Sequence, residues 1–417
     1  MESKSLLTQS SLAERHKDLL DQDVYLVSYD IIPKDHPLRK EVAEKLDSKK
    51  FSSFKESKAV GAFIAAAVGD ALGAHLEGWE ISYTRKDVED FESLNKLIEP
   101  DCFRCPIGQF TDDTCQALCI ADSLIENELK FEPRDLRTKF VAWWLAGYNN
   151  CLHNAKSKAD QYSFGIGNTT KQGFEEFLKN NTERVPEVKG LKNQDSGNGS
   201  VMRLVPITIA FHTNPEKGMQ YAHDQSFTTH NSEEAAECAK FLIHCAIKLF
   251  NSESPEEGRK LLDKIHEGFS STVDSVDKLA RSEQEKFNPE LHNERHNRGD
   301  EDRNWNWRDP NWKYSPCRTE KNRNLVGIYC MDTACMSLHI LYHTSSHKEA
   351  MLKAVNLGGD ADSVGSIVGM LGGCLYGVDE TLLSWYKKYI VPWDDQRVAI
   401  RAELLYQMAV DSASKKI

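Results

Sequence analysis

Phe63-Ile64-Ala65-Ala66-Ala67-Val68-Gly69-Asp70-Ala71-Leu72-Gly73 decides the fold class. From Ala59 onward the pattern is helical, and this run is rich in the alanine and glycine that let helices approach closely. Working outward, the same reading recurs. Residues 113–129 set Leu118, Ala121, Leu124, Ile125 and Leu129 at steps of three and four, a helical stripe. Glu132-Pro133 starts another helix, with proline at a permitted first-turn position, Gly147 near its end and Leu136, Phe140, Trp143 and Trp144 on its apolar face. Ser232 can cap a helix carrying Cys238, Leu242, Cys245 and Leu249. Ser346-x-x-Glu349 is a capping box opening a helix that ends before Gly358-Gly359. Strand-like alternation is scarce; Val24-Tyr25-Leu26-Val27 reads as a short strand or an extended arm. The expectation is an all-α chain: an N-terminal extension over 1–57 and a single helical domain over 58–417.

The charge balance narrows the function. Fifty-two basic against 64 acidic side chains give a net charge of −12 over 417 residues. A nucleic-acid backbone would meet an unfavourable overall field, so no direct nucleic-acid binding is expected. The same carboxylate excess suits a multivalent cation. With 40% hydrophobic and 28% charged residues, the composition is that of a soluble globular protein. The first 21 residues are polar and lack the apolar core of a signal peptide. The uncharged stretch 364–378 falls short of the ~20 residues a spanning helix needs. Eleven scattered cysteines, an odd number, read as reduced thiols. A cytoplasmic or nuclear setting with no membrane partner is expected. Cys102-Phe103-Arg104-Cys105 has half of a zinc-ribbon spacing, with no second pair at a suitable distance.

Residues 285–324 break the helical pattern. The stretch is dense in Asn, Arg, Asp and Glu, yet carries Trp305, Trp307, Trp312 and Tyr314. Charge alone suggests a disordered loop, but each tryptophan gains much from burial. It reads as an ordered insertion, either a lid or a surface loop packed on its own tryptophans.

Two short segments carry the functional signal. One is Gln109-Phe110-Thr111-Asp112-Asp113-Thr114; the other is Leu357-Gly358-Gly359-Asp360-Ala361-Asp362-Ser363-Val364-Gly365. Each sets two carboxylates beside a hydroxyl at the start of a helix, where the dipole favours the ionised form. Capping accounts for one such side chain, and for either segment taken singly a cap is the simpler reading. Two carboxylates plus a hydroxyl, twice over, exceed that need. If the segments meet, four carboxylates share one site and repel unless cations intervene. All-oxygen ligands suit Mg²⁺, Mn²⁺ or Ca²⁺ rather than zinc. Spacing leaves the meeting open, since Asp112 and Asp360 lie 248 positions apart. A third segment, Gly69-Asp70-Ala71-Leu72-Gly73-Ala74-His75-Leu76-Glu77, puts Asp70 and Glu77 on one face if it is helical. A fourth, Ser196-Gly197-Asn198-Gly199-Ser200-Val201-Met202-Arg203, is a glycine-rich turn whose amides suit a phosphate or ribose. Gly-Asn-Gly is also ordinary turn chemistry.

In this order, and with Gly165-Ile166-Gly167-Asn168-Thr169-Thr170 between the second and fourth pieces, the segments resemble the ADP-ribosylglycohydrolase family. The resemblance spans roughly residues 58–410, and its specificity lies in the whole series rather than in any one piece. It implies an all-α domain of orthogonal helices with a two-Mg²⁺ centre, Mn²⁺ being the alternative, in a cleft at helix N-termini that holds ADP-ribose. It implies Thr111, Asp112 and Asp113 as metal ligands on one side and Asp360, Asp362 and Ser363 on the other. The family usually has threonine where this chain has Ser363; serine keeps the hydroxyl. Glu77 falls where some members place a gating or metal-proximal carboxylate. Gly197, Asn198, Gly199, Ser200 and Met202 would line the diphosphate and ribose. His230, after Ser226-Phe227-Thr228-Thr229, resembles a histidine near the ligand, although a lone histidine is more often structural.

The implied chemistry is hydrolysis of the bond joining C1 of the distal ribose to a protein side chain or small acceptor, through an oxocarbenium-like state. Asp112, Asp113 and Glu77 are the catalytic candidates, one of them as general base. The implied partner is an ADP-ribosylated protein or a small ADP-ribose conjugate, with the acceptor linkage open. Two other classes stay in view: a non-catalytic ADP-ribose reader or crystallin-like structural relative, and a metal-dependent phosphoesterase that would leave AMP.

Overall fold

A computed structural model describes residues 30–97, 106–151, 163, 165–186, 196–289, 299–321 and 323–415. Val24-Tyr25-Leu26-Val27 and the Cys102/Cys105 pair lie outside them. Among the described residues the regular structure is helical, apart from two isolated bridges, Gly197 to Tyr329 and Gln284 to Asn304. The helices that build the site and its support are, in chain order, α1 (Pro37–Ser48), α2 (Phe54–Gly73), α3 (Asp112–Glu126), α4 (Pro133–Ala146), α5 (Asn168–Asn180), α6 (Glu233–Asn251), α7 (Cys330–Tyr342), α8 (His347–Val355), α9 (Ala361–Tyr376) and α10 (Arg397–Ser414). None of the described helices is long and apolar enough to cross a membrane.

The centre is the pair α2 and α9, the most extensive helix contact in the protein. Glycine makes it possible. A Cβ on Gly365 would stand 2.5 Å from the Gly69 carbonyl oxygen, and one on Gly373 2.5 Å from the Gly61 carbonyl oxygen. Main chain therefore touches main chain, and the ~1 kcal/mol that each interior glycine costs its helix is offset by this close approach. Ser53 caps α2 through Glu56 N at 3.1 Å. Within the 1–57 stretch, α1 packs on α10 with Leu38, Val42 and Leu46 buried at steps of four, and Lys45 bridges Glu56 and Glu403.

Helix ends follow local chemistry. Gly147 terminates α4 at φ 71°, and Ser346 accepts from Glu349 N at the start of α8. The helix expected over 113–129 stops at Glu126. Glu128 and Leu129 turn left-handed, and Leu129 N closes onto the Leu124 carbonyl at 2.8 Å. Every described cysteine is buried.

The described part of the 285–324 stretch is neither a lid nor a loop folded on itself. Trp305, Trp307, Trp312 and Tyr314 are buried in the main core. Trp307 Nε1 donates to the Leu279 carbonyl at 2.8 Å. Arg303 pairs with Glu285 at 2.7 Å and with Glu234 of α6 at 3.3 Å, and donates to the Tyr329 hydroxyl at 2.9 Å. Burial of the indoles outweighs the polar composition, and the insertion becomes a buttress behind the chain that enters α7.

Candidate active site

Both acidic segments open onto one cavity of about 530 Å³, lined in part by Glu77, Asp112, Asp113, Asp360, Asp362 and Ser363. Asp112 and Asp113 are the first two residues of α3; Asp360 and Asp362 flank the start of α9. Capping does not explain them. The α3 cap is supplied from α2, where Asp70 Oδ1 accepts from Thr111 N at 2.8 Å and Thr111 Oγ1 at 3.0 Å. Asp70 Oδ2 accepts from Thr114 N at 2.9 Å and Thr114 Oγ1 at 2.6 Å. Asp112 and Asp113 are thereby left to face the cavity. Asp360 sits at the cap position of α9, yet its side chain makes no capping bond.

Carboxylates crowd here. Oxygens of Glu77, Asp360 and Asp362 lie within 4.8 Å of one another. Thr111 Oγ1 is 3.1 Å from Asp362 Oδ2 and 3.3 Å from Asp113 Oδ2, tying the two arms together. Asp113 Oδ1 is buried without a hydrogen-bond partner. Burial first, and then the neighbouring acids, push Asp112, Asp113 and Asp360 well above the usual carboxylate range. Asp362 is raised by the same causes, and Asp70 is raised by burial to about 6. Among the described residues, no Lys or Arg lines the cavity to offer these groups a positive partner.

The expectation for Glu77 changes in one respect. α2 ends at Gly73, and Glu77 follows in a turn whose Gly78 N donates to the Gly359 carbonyl at 3.0 Å, so no shared helix face links it to Asp70. The turn still delivers Glu77 to the cavity, half-buried where the aspartates are buried.

Gly197, Asn198, Gly199, Met202 and His230 also line the cavity, with Asn198 and Met202 beside Asp360 and Ser363. Thr111 and Ser200 are not among the lining residues. Thr111 lies beneath the carboxylates, and the Ser200 hydroxyl accepts from Ser226 at 2.9 Å behind the wall. Asp112 Oδ2 accepts from Gln116, which receives Arg203 at 2.6 Å; Arg203 donates to Thr229 at 2.8 Å, and Thr229 meets His230 Nδ1 at 2.8 Å. This buried relay links Asp112 to His230. Burial, with Arg203 adding repulsion, pushes the His230 imidazole down to about 3 and keeps it neutral.

Sequence reasoning assigned no site role to three features. Asp70 holds Thr111 in place, a tertiary bond that no spacing announces. Gly165, Ile166, Gly167, Asn168, Thr169 and Thr170 line the cavity at the start of α5. That helix has no side-chain cap bond and no acid in its first turn, an anion-receptive arrangement that the glycine- and hydroxyl-rich sequence foreshadows. Leu325 and Ile328, about half exposed, form an apolar lip.

Comparison with known proteins finds relatives over most of the chain. The family profile described as ADP-ribosylglycohydrolase matches residues 52–411. An ADP-ribosylarginine hydrolase, Tri1, from Pseudomonas putida is 27% identical over 83% of this chain and 77% of its own length. An ADP-ribosyl-dinitrogen reductase glycohydrolase from Rhodospirillum rubrum is 26% identical over 79% of this chain and 90% of its own. Among solved structures, an ADP-ribosylglycohydrolase-related protein complex superposes with a TM-score of 0.57 at 23% identity, covering 85% of this chain and 99% of that one. This last match shows a shared fold.

Proposed function

The chain belongs to the ADP-ribosylglycohydrolase family, and from that premise we propose that it is a hydrolase releasing ADP-ribose from a protein side chain, with arginine as the acceptor. The observation that carries the reading is the convergence of two acid-bearing helix N-termini, with Glu77, on one cavity. The donor set fits a pair of hard divalent cations. It is all oxygen, Asp113 Oδ1 is buried without a partner, and burial, then the neighbouring acids, raise the aspartates above the usual carboxylate range. Thr111, Asp112 and Asp113 would hold such ions from one side and Asp360, Asp362 and Ser363 from the other, with Mg²⁺ the first choice and Mn²⁺ the second. Bound there, the ions supply Lewis acidity toward sugar hydroxyls and water.

The remaining work falls to the chain's own groups. The amides at the start of α5 receive the diphosphate, which sets the distal ribose toward the carboxylates. Neutral His230 adds a hydrogen bond without adding charge. Glu77, the most accessible carboxylate of the set, orients the attacking water and takes its proton. A cavity whose described lining is acidic and carries no lysine or arginine favours a guanidinium acceptor over a neutral serine, in keeping with the name of the Pseudomonas putida relative.

Arginine- and serine-linked ADP-ribosyl peptides, assayed with Mg²⁺ and with EDTA, test this. Free ADP-ribose is expected from the arginine peptide in Mg²⁺, with loss in EDTA and in the D112N/D113N double variant. Full turnover by that variant refutes the assignment. AMP as product points to phosphoester cleavage, and binding without release points to a reader.

A further inference from the structure

We propose that Asn198 is a positioning residue that clamps Asp360 to the outer wall of the cleft, so that one cation-binding carboxylate takes its orientation from the 326–329 segment. The inference rests on the two-cation reading above. Asn198 Nδ2 donates to Asp360 Oδ2 at 2.8 Å and to the Gly327 carbonyl at 3.1 Å. Both amide hydrogens are thereby engaged within the protein, and what Asn198 presents to a ligand is its carbonyl oxygen.

The clamp is laced on every side. Asn198 N donates to the Ile328 carbonyl at 2.9 Å, and Cys330 N donates to the Ser196 carbonyl at 3.0 Å. Asp360 N donates to the Val326 carbonyl at 2.9 Å, so the same wall holds both the main chain and the side chain of this acid. Thr333 of α7 donates to the Gly327 carbonyl from behind. Gly327 lies at φ 106°, and a Cβ there would stand 3.0 Å from Asp360 Cβ, so glycine is what lets the wall come this near. A carboxylate facing other carboxylates would swing away unless a donor held it. Asn198 is such a donor, beside the Ser363 hydroxyl, and the absence of a capping bond from Asp360 to its own helix is its counterpart.

The test uses Mn²⁺ as the probe, titrated by electron paramagnetic resonance without substrate. N198A is expected to bind Mn²⁺ about 10–100-fold more weakly, the usual cost of losing a group that hydrogen-bonds a ligand. In a D360A background the same substitution should change Mn²⁺ affinity less than about twofold, since a clamp has no effect once its target is gone. Unchanged Mn²⁺ affinity in N198A, or an undiminished effect in D360A, overturns the proposal. If N198A does not fold, N198S repeats the measurement, its hydroxyl being too short to reach both acceptors. A parent protein that binds no Mn²⁺ overturns the two-cation reading itself, a result distinct from a parent that binds and a variant that binds equally well.

Discussion

Replacing Gly365 with alanine probes whether the two acid-bearing arms are spaced by main-chain contact between α2 and α9. The new Cβ would stand 2.5 Å from the Gly69 carbonyl oxygen and 2.9 Å from its carbon, where ordinary contact begins at 3.4 Å. The obstacle is backbone, so no rotamer change relieves it, and the helices must part by about 1 Å. Overpacking costs about 1–3 kcal/mol, and an unyielding obstacle puts this case near 3 kcal/mol. The better helix propensity of alanine offsets about 1 kcal/mol, leaving a net loss of about 2 kcal/mol. Gly69 directly precedes Asp70, so the displacement reaches the four bonds that hold Thr111 and Thr114. Urea unfolding in EDTA, followed by circular dichroism, reads the stability; Mn²⁺ titration of the folded variant reads the site. A G365A protein as stable as the parent, or one that gains the ~1 kcal/mol of helix propensity, would refute the close contact.

Gly165 sits at φ 84° with its missing Cβ aimed at Asp112 Oδ1; G165A should cost about 1–3 kcal/mol through backbone strain and weaken Mn²⁺ binding in calorimetric titration. The folded-state pKa of His230 lies below its ordinary value, so the neutral ring contributes stability that is fully present above about pH 6.5 and is lost as pH falls toward about 3. H230Q is expected to unfold at lower pH than the parent in an acid titration. R303M leaves the Glu285 and Glu234 carboxylates buried without their guanidinium, and a loss of about 3–5 kcal/mol should appear in thermal unfolding. Mg²⁺ at a hundred times its dissociation constant should stabilise the folded chain by about 2.7 kcal/mol, reversed by EDTA; a melting curve indifferent to both would count against the aspartates as cation ligands.

Much of the helical scaffold was legible because its signals are local. Pro133 and Gly147 bracket α4, and Ser346 with Glu349 opens α8, through contacts within a helical turn or so. The acids could be picked out for the same reason: pairs at helix starts exceed what a cap needs. Their meeting could not be read, because it depends on the α2–α9 contact, and sequence names the glycines without naming their mates. Asp70 shows the limit. It looked like a companion of Glu77 on one helix face, whereas it reaches 41 positions along the chain to cap α3. The 285–324 insertion misled in the opposite direction, since composition weighs charges equally and cannot tell that Arg303 is buried between two glutamates.

Packing main chain against main chain leaves no side chain whose size could retune the gap between α2 and α9. Substitutions at the perimeter, in the Leu325–Ile328 lip, the α5 entrance and the tryptophan buttress, would leave unchanged the gauge that any bound ion must match. If the proposed hydrolysis holds, a fixed centre with an adjustable rim would let one core be fitted to new acceptors, one loop at a time.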